Sequence, residues 1–302
     1  MVVLKTQELA GIDVVADGEL NRFNPSHPET NGMIDYFVSR MTGIASRFSI
    51  SDLDKFRSDA GLAYRSEPAG IVTGQVDEGT LNLPRDFELT RSLTAQPLKF
   101  TCTGPHMLAK VLTDRHYGKP GDLAMAIARV LRRQVERINA DVVQLDEANI
   151  SGHPEDQDWA APAINHVLEG IRGERAVHVC FGNYAGQSVQ KGLWWDLMPF
   201  FNQLKTSHLV LEFARRGYDE LEAFRDLDRR CGLGLGVIDI KDNAVETPDT
   251  IAQRIDRAVK LLGPERVHFI HPDCGFWMLH RSVADAKMRA LVAGRNLYEG
   301  RR

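Results

Sequence analysis

His178 and Cys180 stand two residues apart in a short apolar run of the sequence. If this run is a β-strand, both side chains point to the same face and can bind one ion. An imidazole nitrogen and thiolate sulfurs suit Zn²⁺, and a carboxylate can complete a tetrahedral set. A histidine and cysteine pair alone is more often part of a packed core. Glu212 and Cys274 follow at the ends of two later apolar runs, and the combination of all four predicts a zinc site.

Charged residues recur at the carboxyl ends of the other predicted strands. They are Asp17, Glu19, Asp146, Glu147, Asp239, Lys241 and Asp273. Buried strand ends rarely accumulate charge without a function, and barrel enzymes place their active sites at this face. The pattern therefore predicts an active site at the mouth of a barrel. Cys102 and Cys231 are interpreted as core residues, because free cysteine is among the most buried residue types.

The elements that must position these residues alternate between short β-rich runs and amphipathic helical segments. This alternation is typical of a parallel sheet with crossover helices. The predicted strands are 12–16, 100–103, 142–145, 176–181, 208–213, 233–240 and 267–270, and the predicted helices are 2–9, 122–138, 158–171, 218–230 and 250–262. The predicted fold class is therefore α/β, a (β/α)₈ TIM-type barrel.

Seven strands are one fewer than a closed barrel of this type needs, and the sequence begins with a helix where a first strand should precede it. Either the true start lies upstream and the first strand is missing from this chain, or the barrel closes in some other way, and we favour the first interpretation. Residues 1–302 are predicted to form a single catalytic barrel domain with an insertion at 20–97. Within the insertion, the glycine-rich stretch 61–83 predicts a hairpin.

The composition excludes several classes of function. A formal net charge of −4 and a pI near 6.2, without a basic run, argue against nucleic-acid binding. The apolar stretches fall short of the roughly 20 residues that a membrane span needs, and the N-terminus lacks the features of a signal peptide. We therefore expect a cytoplasmic protein. Four cysteines in 302 residues do not form a dense disulfide framework.

The order and spacing of several segments resemble the C-terminal catalytic barrel of the cobalamin-independent methionine synthase family. The segments are GIDVVADGE (11–19), VQLDE (143–147), HVC (178–180), LE (211–212), GVID (236–239) and PDCG (272–275). The resemblance covers nearly the whole chain and implies the barrel of the uroporphyrinogen decarboxylase and methionine synthase superfamily. It also implies a zinc-dependent transfer of a methyl group to the thiolate of homocysteine, which forms methionine.

The resemblance implies roles for individual residues. The family's zinc ligands correspond here to His178, Cys180, Glu212 and Cys274. Glu19 and Asp146 match acidic residues that hold the amino group of homocysteine, and Asp146 is also expected to be catalytic because it orients the attack. The methyl donor implied is a methyl-folate or a methyl carrier. A homo-oligomer is compatible with the sequence.

Departures from the family pattern leave alternatives open. The family's Asp-Ile-His stretch reads Asp-Ile-Lys at 239–241, and Lys241 is predicted to replace that histidine as the proton donor, against the alternative of a solvent-facing or salt-bridged lysine. The Asp-Glu-Pro signature reads Asp-Glu-Ala at 146–148, and the duplicated N-terminal half and first Gly-Ser loop have no counterpart. The alternatives are an epoxyalkane:coenzyme M transferase-like enzyme, a non-catalytic zinc-binding barrel and a related decarboxylase.

Overall fold

The strands of the protein belong to two sheets. The computed structural model describes residues 1–27, 29–59, 62, 64–183 and 188–301. Its strands are β1 (Val15–Ala16), β2 (Thr42–Ala45), β3 (Ile71–Asp77), β4 (Leu98–Thr103), β5 (Thr113–Asp114), β6 (Val142–Asp146), β7 (Glu174–Val179), β8 (His208–Leu211), β9 (Gly232–Ile238) and β10 (Val267–Pro272). A seven-stranded parallel sheet has the order β1-β4-β6-β7-β8-β9-β10, and a three-stranded sheet has the order β2-β3-β5.

Helices occupy most connections between the parallel strands. They are α1 (Val2–Ala10), α2 (Asp35–Val38), α3 (Ile50–Asp59), α4 (Leu83–Arg91), α5 (Pro105–Lys110), α6 (Pro120–Val135), α7 (Gln157–Leu168), α8 (Trp194–Phe201), α9 (Pro248–Leu262) and α10 (Arg281–Tyr298). In α6, Pro120 at the start and Asp122 in the first turn favour helix initiation. Its apolar residues are buried except for the half-buried Met125, and the helix packs against α7. Within the described ranges, no helix has both the length and the apolar character needed to cross a membrane.

The main sheet curls, so that strands far apart in its order approach one another. In a flat sheet, at about 4.8 Å per strand, β10 would lie about 14 Å from β7. Instead, the ligand atoms of His178 and Cys180, at the end of β7, lie within 4.8 Å of the Cys274 sulfur, which follows β10. Inside the curl, one apolar layer joins Val14, Val142, Ala176 and Val210. The predicted barrel-type architecture is therefore confirmed.

The edge strands of the main sheet, β1 and β10, are linked through helices. The side-chain amide of Gln7 on α1 donates to the Ala16 carbonyl at 2.7 Å and accepts from the Ala16 N–H at 2.9 Å. Gln7 thereby satisfies backbone groups that a further strand would otherwise pair. α1 also packs against α10, and Asp13, just after α1, forms an ion pair with Arg295 of α10.

The seven predicted strands all lie in the main sheet, with ends that differ by a few residues. The predicted helix 218–230 is instead a 3₁₀ segment, Asp219–Asp226. Leu221 and Phe224 are buried there, and their spacing of three residues fits a 3₁₀ turn as well as an α-helix. In the insertion, β2 and β3 form an antiparallel pair. Only β3 falls within the predicted hairpin 61–83, whose residues 61 and 63 lie outside the described residues.

Candidate active site

Three of the predicted metal ligands converge at the mouth of the barrel. The ligand atoms of His178, Cys180 and Cys274 all lie within 4.8 Å of one another. His178 is the last residue but one of β7, and its side chain lies on the inner face of the sheet. Cys180 directly follows β7, and Cys274 lies two residues beyond β10. His178 and Cys180 are buried, and Cys274 is half-buried. One imidazole and two thiols are a donor set that fits Zn²⁺.

The hydrogen bonding of His178 supports a ligand role for this residue. Its Nδ1 lies 2.8 Å from the Val210 carbonyl oxygen, so Nδ1 carries the proton and donates it. Its Nε2 is buried and has no nitrogen or oxygen partner among the described residues, and the neighbouring group is the Cys274 sulfur. Leaving such an atom without a partner costs free energy. A histidine that binds a metal through one ring nitrogen commonly donates from the other nitrogen to a carbonyl, and His178 has this arrangement.

The three side chains also perturb one another's protonation. Burial lowers the pKa of His178, but the neighbouring Cys274 sulfur and Asp146 carboxylate outweigh it and raise that pKa to about 9. The Cys180 thiol and the His178 ring hold the pKa of Cys274 well below its ordinary value. The contact with Cys274, together with burial, raises the pKa of Cys180. The contact between the two sulfurs and the neighbouring His178 ring thus favours a thiolate in this group, which is the form that binds metals.

Asp273 fixes the turn that carries Cys274. Its carboxylate accepts hydrogen bonds from three successive backbone N–H groups that follow β8, at 2.8 to 2.9 Å. A Cβ at Gly236 on β9 would collide with this carboxylate, so the close approach requires glycine. The end of β10 is thereby tied to the end of β8 across β9, and Cys274 is held near β7.

The fourth predicted ligand, Glu212, lies outside this group of three. Its Oε1 accepts from the backbone N–H of Phe181 at 3.3 Å, and its Oε2 lies 3.3 Å from the Lys241 Nζ. Both members of the ion pair are buried, with side-chain exposures of 3% for Lys241 and 0% for Glu212. Burial raises the pKa of Glu212, and the Lys241 charge opposes that shift. The structure thus places Lys241 in a salt bridge at the barrel mouth, and the proposed roles of both residues remain predictions.

Glu19 and Asp146 form a second polar group, on the side of β1, β4 and β6. Glu19 Oε1 accepts from the Thr101 hydroxyl, and the Glu19 N–H donates to Asp17 Oδ1 at 2.8 Å. Asp146 Oδ1 accepts from the Gln144 amide at 2.7 Å. Burial, and then the charge of Glu19, raise the pKa of Asp146 to about 7. Two carboxylates that disfavour each other's charge would be stabilised by a cation placed between them.

Three residues that hold these carboxylates were not among the predicted site residues. The buried Arg22 guanidinium donates to the Thr101 carbonyl, and its Nη1 lies 3.5 Å from Glu19 Oε2. Lys99 donates to Gln144, which in turn donates to Asp146. The available sequence signal was spacing, because Gln144 is two residues before Asp146 and shares its face of β6. Lys99 and Thr101 are likewise two residues apart on one face of β4, but the predicted strand began at residue 100, so Lys99 was not placed on it.

The comparisons with known proteins agree with the resemblance read from the sequence. A family model described as "Cobalamin-independent synthase, Catalytic domain" matches residues 1–295. The methionine synthase of Sulfurisphaera tokodaii is 28% identical over 301 residues, which cover 97% of this chain and 79% of the relative. The methionine synthase of Thermococcus kodakarensis is 29% identical over 300 residues, which cover 97% of this chain and 80% of the relative.

Solved structures support the fold. A B12-independent methionine synthase from Shewanella sp. W3-18-1, in complex with selenomethionine, superposes with a TM-score of 0.79 at 22% identity and covers 99% of this chain and 86% of that chain. A putative vitamin-B12 independent methionine synthase from Listeria monocytogenes gives a TM-score of 0.69 at 17% identity, covering 98% of this chain and 85% of that chain. Since the family model spans almost the entire sequence, the chain belongs to the cobalamin-independent methionine synthase family, as a catalytic domain, and is a methyltransferase.

Proposed function

We propose that the chain is a zinc-dependent S-methyltransferase that transfers a methyl group to the thiolate of homocysteine and forms methionine. The observation that carries the proposal is the convergence of His178, Cys180 and Cys274, whose ligand atoms lie within 4.8 Å of one another. These residues would hold the ion, with Glu212 as the fourth protein ligand. When bound, zinc keeps a coordinated thiol deprotonated while leaving it nucleophilic.

The second part of the proposal concerns the amino group of the substrate. Glu19 and Asp146 would bind the ammonium group of homocysteine and so orient its thiol toward the group of three. Burial, and then the charge of Glu19, raise the pKa of Asp146, and a cation beside the two carboxylates would offset the Glu19 contribution. A thiol that carries a sulfonate, such as coenzyme M, would instead face two carboxylates. The two carboxylates therefore favour an amino thiol over the coenzyme M alternative.

The third part concerns the methyl donor, which we assign to a methyl-folate or a methyl carrier. In the transfer, a bond forms between the homocysteine sulfur and the methyl carbon, and the bond from that carbon to the donor breaks. Lys241 would supply the proton for the donor's leaving atom. Its Nζ lies 3.3 Å from the Glu212 carboxylate, at the same mouth as the metal ligands.

Elemental analysis of the purified chain tests the metal assignment. We expect about one zinc ion per chain in the wild type and little zinc in the H178A and C274S variants. C231S is the matched control, because Cys231 is also buried but is not in the group of three. X-ray absorption should add a sulfur neighbour to the zinc when homocysteine binds. A wild type without zinc, or a C274S variant that keeps it, would overturn the proposal.

A further inference from the structure

A chain of two hydrogen bonds lies beneath Asp146 inside the barrel. The Lys99 Nζ on β4 donates to Gln144 Oε1 at 3.0 Å, and Gln144 Nε2 on β6 donates to Asp146 Oδ1 at 2.7 Å. Gln144 and Asp146 are buried, with exposures of 6% and 5%. The strands β4 and β6 are adjacent and parallel, which brings the three side chains to one inner surface. The arrangement ends on a carboxylate that the proposed function assigns to substrate binding.

The chemistry of the three groups fixes the orientation of the central amide. An ammonium group can only donate hydrogen bonds, so the amide oxygen of Gln144 must face Lys99. The amide NH₂ group then faces Asp146, whose carboxylate accepts. A flipped amide would place donor against donor at Lys99 and oxygen against oxygen at Asp146. Lys99 therefore determines that the NH₂ group of Gln144 points to Asp146, and the hydrogen bond from that group fixes the position of the carboxylate.

The same carboxylate needs such support because Glu19 is close to it. The charge of Glu19 acts on Asp146, so the hydrogen bond from Gln144 restrains the Asp146 carboxylate against that repulsion. Glu19 is itself restrained by the Thr101 hydroxyl and by Arg22. With Asp146 Oδ1 held by Gln144, the other oxygen, which accepts no hydrogen bond from the described residues, would be the one that meets a ligand. Both carboxylates are thus held in place before a substrate arrives.

We propose that Gln144 and Lys99 are positioning residues that orient Asp146 as the receptor for the ammonium group of an α-amino thiol substrate. This proposal rests on the proposed function, in which Asp146 and Glu19 bind that group. A purely structural role for the two residues would affect all thiol ligands alike. A positioning role affects only ligands that carry the ammonium group.

The test compares homocysteine with γ-mercaptobutyrate, which is homocysteine without its amino group. Binding of both to the zinc-loaded protein is measured by calorimetry in the wild type and in the Q144L and K99M variants. Q134L is the matched control, because Gln134 is a fully buried glutamine that bonds to Leu83 and Glu78, away from the mouth. The charge-assisted hydrogen bond between the ammonium group and Asp146 should make the wild type bind homocysteine about 10- to 100-fold more tightly than γ-mercaptobutyrate.

We expect the affinity of Q144L for homocysteine to fall about 10-fold, while its affinity for γ-mercaptobutyrate stays unchanged, so that the preference falls by the same factor. K99M should change the preference in the same direction, and Q134L should keep it. If Q144L fails to fold, K99M decides the question. Variants that retain the wild-type preference would overturn the positioning proposal and leave the proposed function intact. A wild type without any preference would overturn both the positioning proposal and the ammonium site.

Discussion

Glu19 has a backbone conformation that its residue type disfavours. Its φ of 58° makes it the only non-glycine residue with a positive φ in the part of the chain that the structure describes. The left-handed region costs an L-residue about 1 kcal/mol. Such conformations persist where surrounding contacts hold them, and they concentrate at functional sites. Here, hydrogen bonds with Asp17 and Thr101 hold the residue, and the charge of its carboxylate acts on Asp146.

A pair of substitutions at Glu19 separates backbone strain from the role of the carboxylate. Both E19A and E19G remove the carboxylate, but only glycine adopts a positive φ without strain. We therefore expect E19G to be more stable than E19A by about 1 kcal/mol in urea unfolding. Both variants should bind homocysteine more weakly than the wild type in calorimetry. Equal stability of the two variants would show that the conformation at Glu19 carries no strain.

The sequence predicts residues of the site well where their relation is local. His178 and Cys180 are two residues apart on one strand, so a strand prediction places them on one face. The ion pair of Glu212 with Lys241 joins residues that follow two different strands, β8 and β9. The distance between their side chains in the folded protein cannot be predicted from their spacing in the sequence. The salt-bridged alternative for Lys241 is the one that the structure contains. The roles of these residues in metal binding and proton transfer stay predictions.

At the scale of elements, the alternation of strands and helices was predictable because each strand of a parallel sheet needs a crossover connection. All seven strands of the main sheet follow from short apolar runs between amphipathic segments. The insertion was harder to predict, because β2 and β3 pair across a long stretch of sequence. Pairing between distant segments depends on the tertiary structure and leaves little local pattern.

α1 is the element on which the edge of β1 depends. Its Leu4 is 2% exposed and belongs to the core, whereas Leu9 on the same helix is 78% exposed. We expect L4A to lower the free energy of unfolding by about 3 kcal/mol, since it leaves a cavity in the core. L9A is the matched control, and we expect it to change stability by less than about 0.5 kcal/mol. Urea unfolding followed by circular dichroism measures both, and similar values would contradict the packing of α1 described above.

At the scale of the whole molecule, the candidate metal ligands come from distant parts of the chain. Cys180 follows β7 and Cys274 follows β10, with β8 and β9 between those strands in the sheet. The curl of the sheet brings the two sulfurs together, and so do the three backbone hydrogen bonds to the Asp273 carboxylate, which tie the end of β10 to the end of β8. An ion bound to both would restrain the sheet against opening. Such a site exists only in the folded chain, so its occupancy adds to the stability of the folded state.

Removal of the metal should therefore destabilise the whole barrel. A ligand present at about 1,000 times its dissociation constant stabilises the native state by about 4 kcal/mol, which for a chain of this size corresponds to a shift in Tm of roughly 5 to 10 °C. We expect a chelator to lower the Tm of the zinc-loaded wild type by this amount in scanning calorimetry. C274S should have a low Tm that the chelator does not change, and C231S should respond as the wild type does. A wild type whose Tm is indifferent to the chelator, despite measured loss of zinc, would mean that the ion does not link β7 to β10.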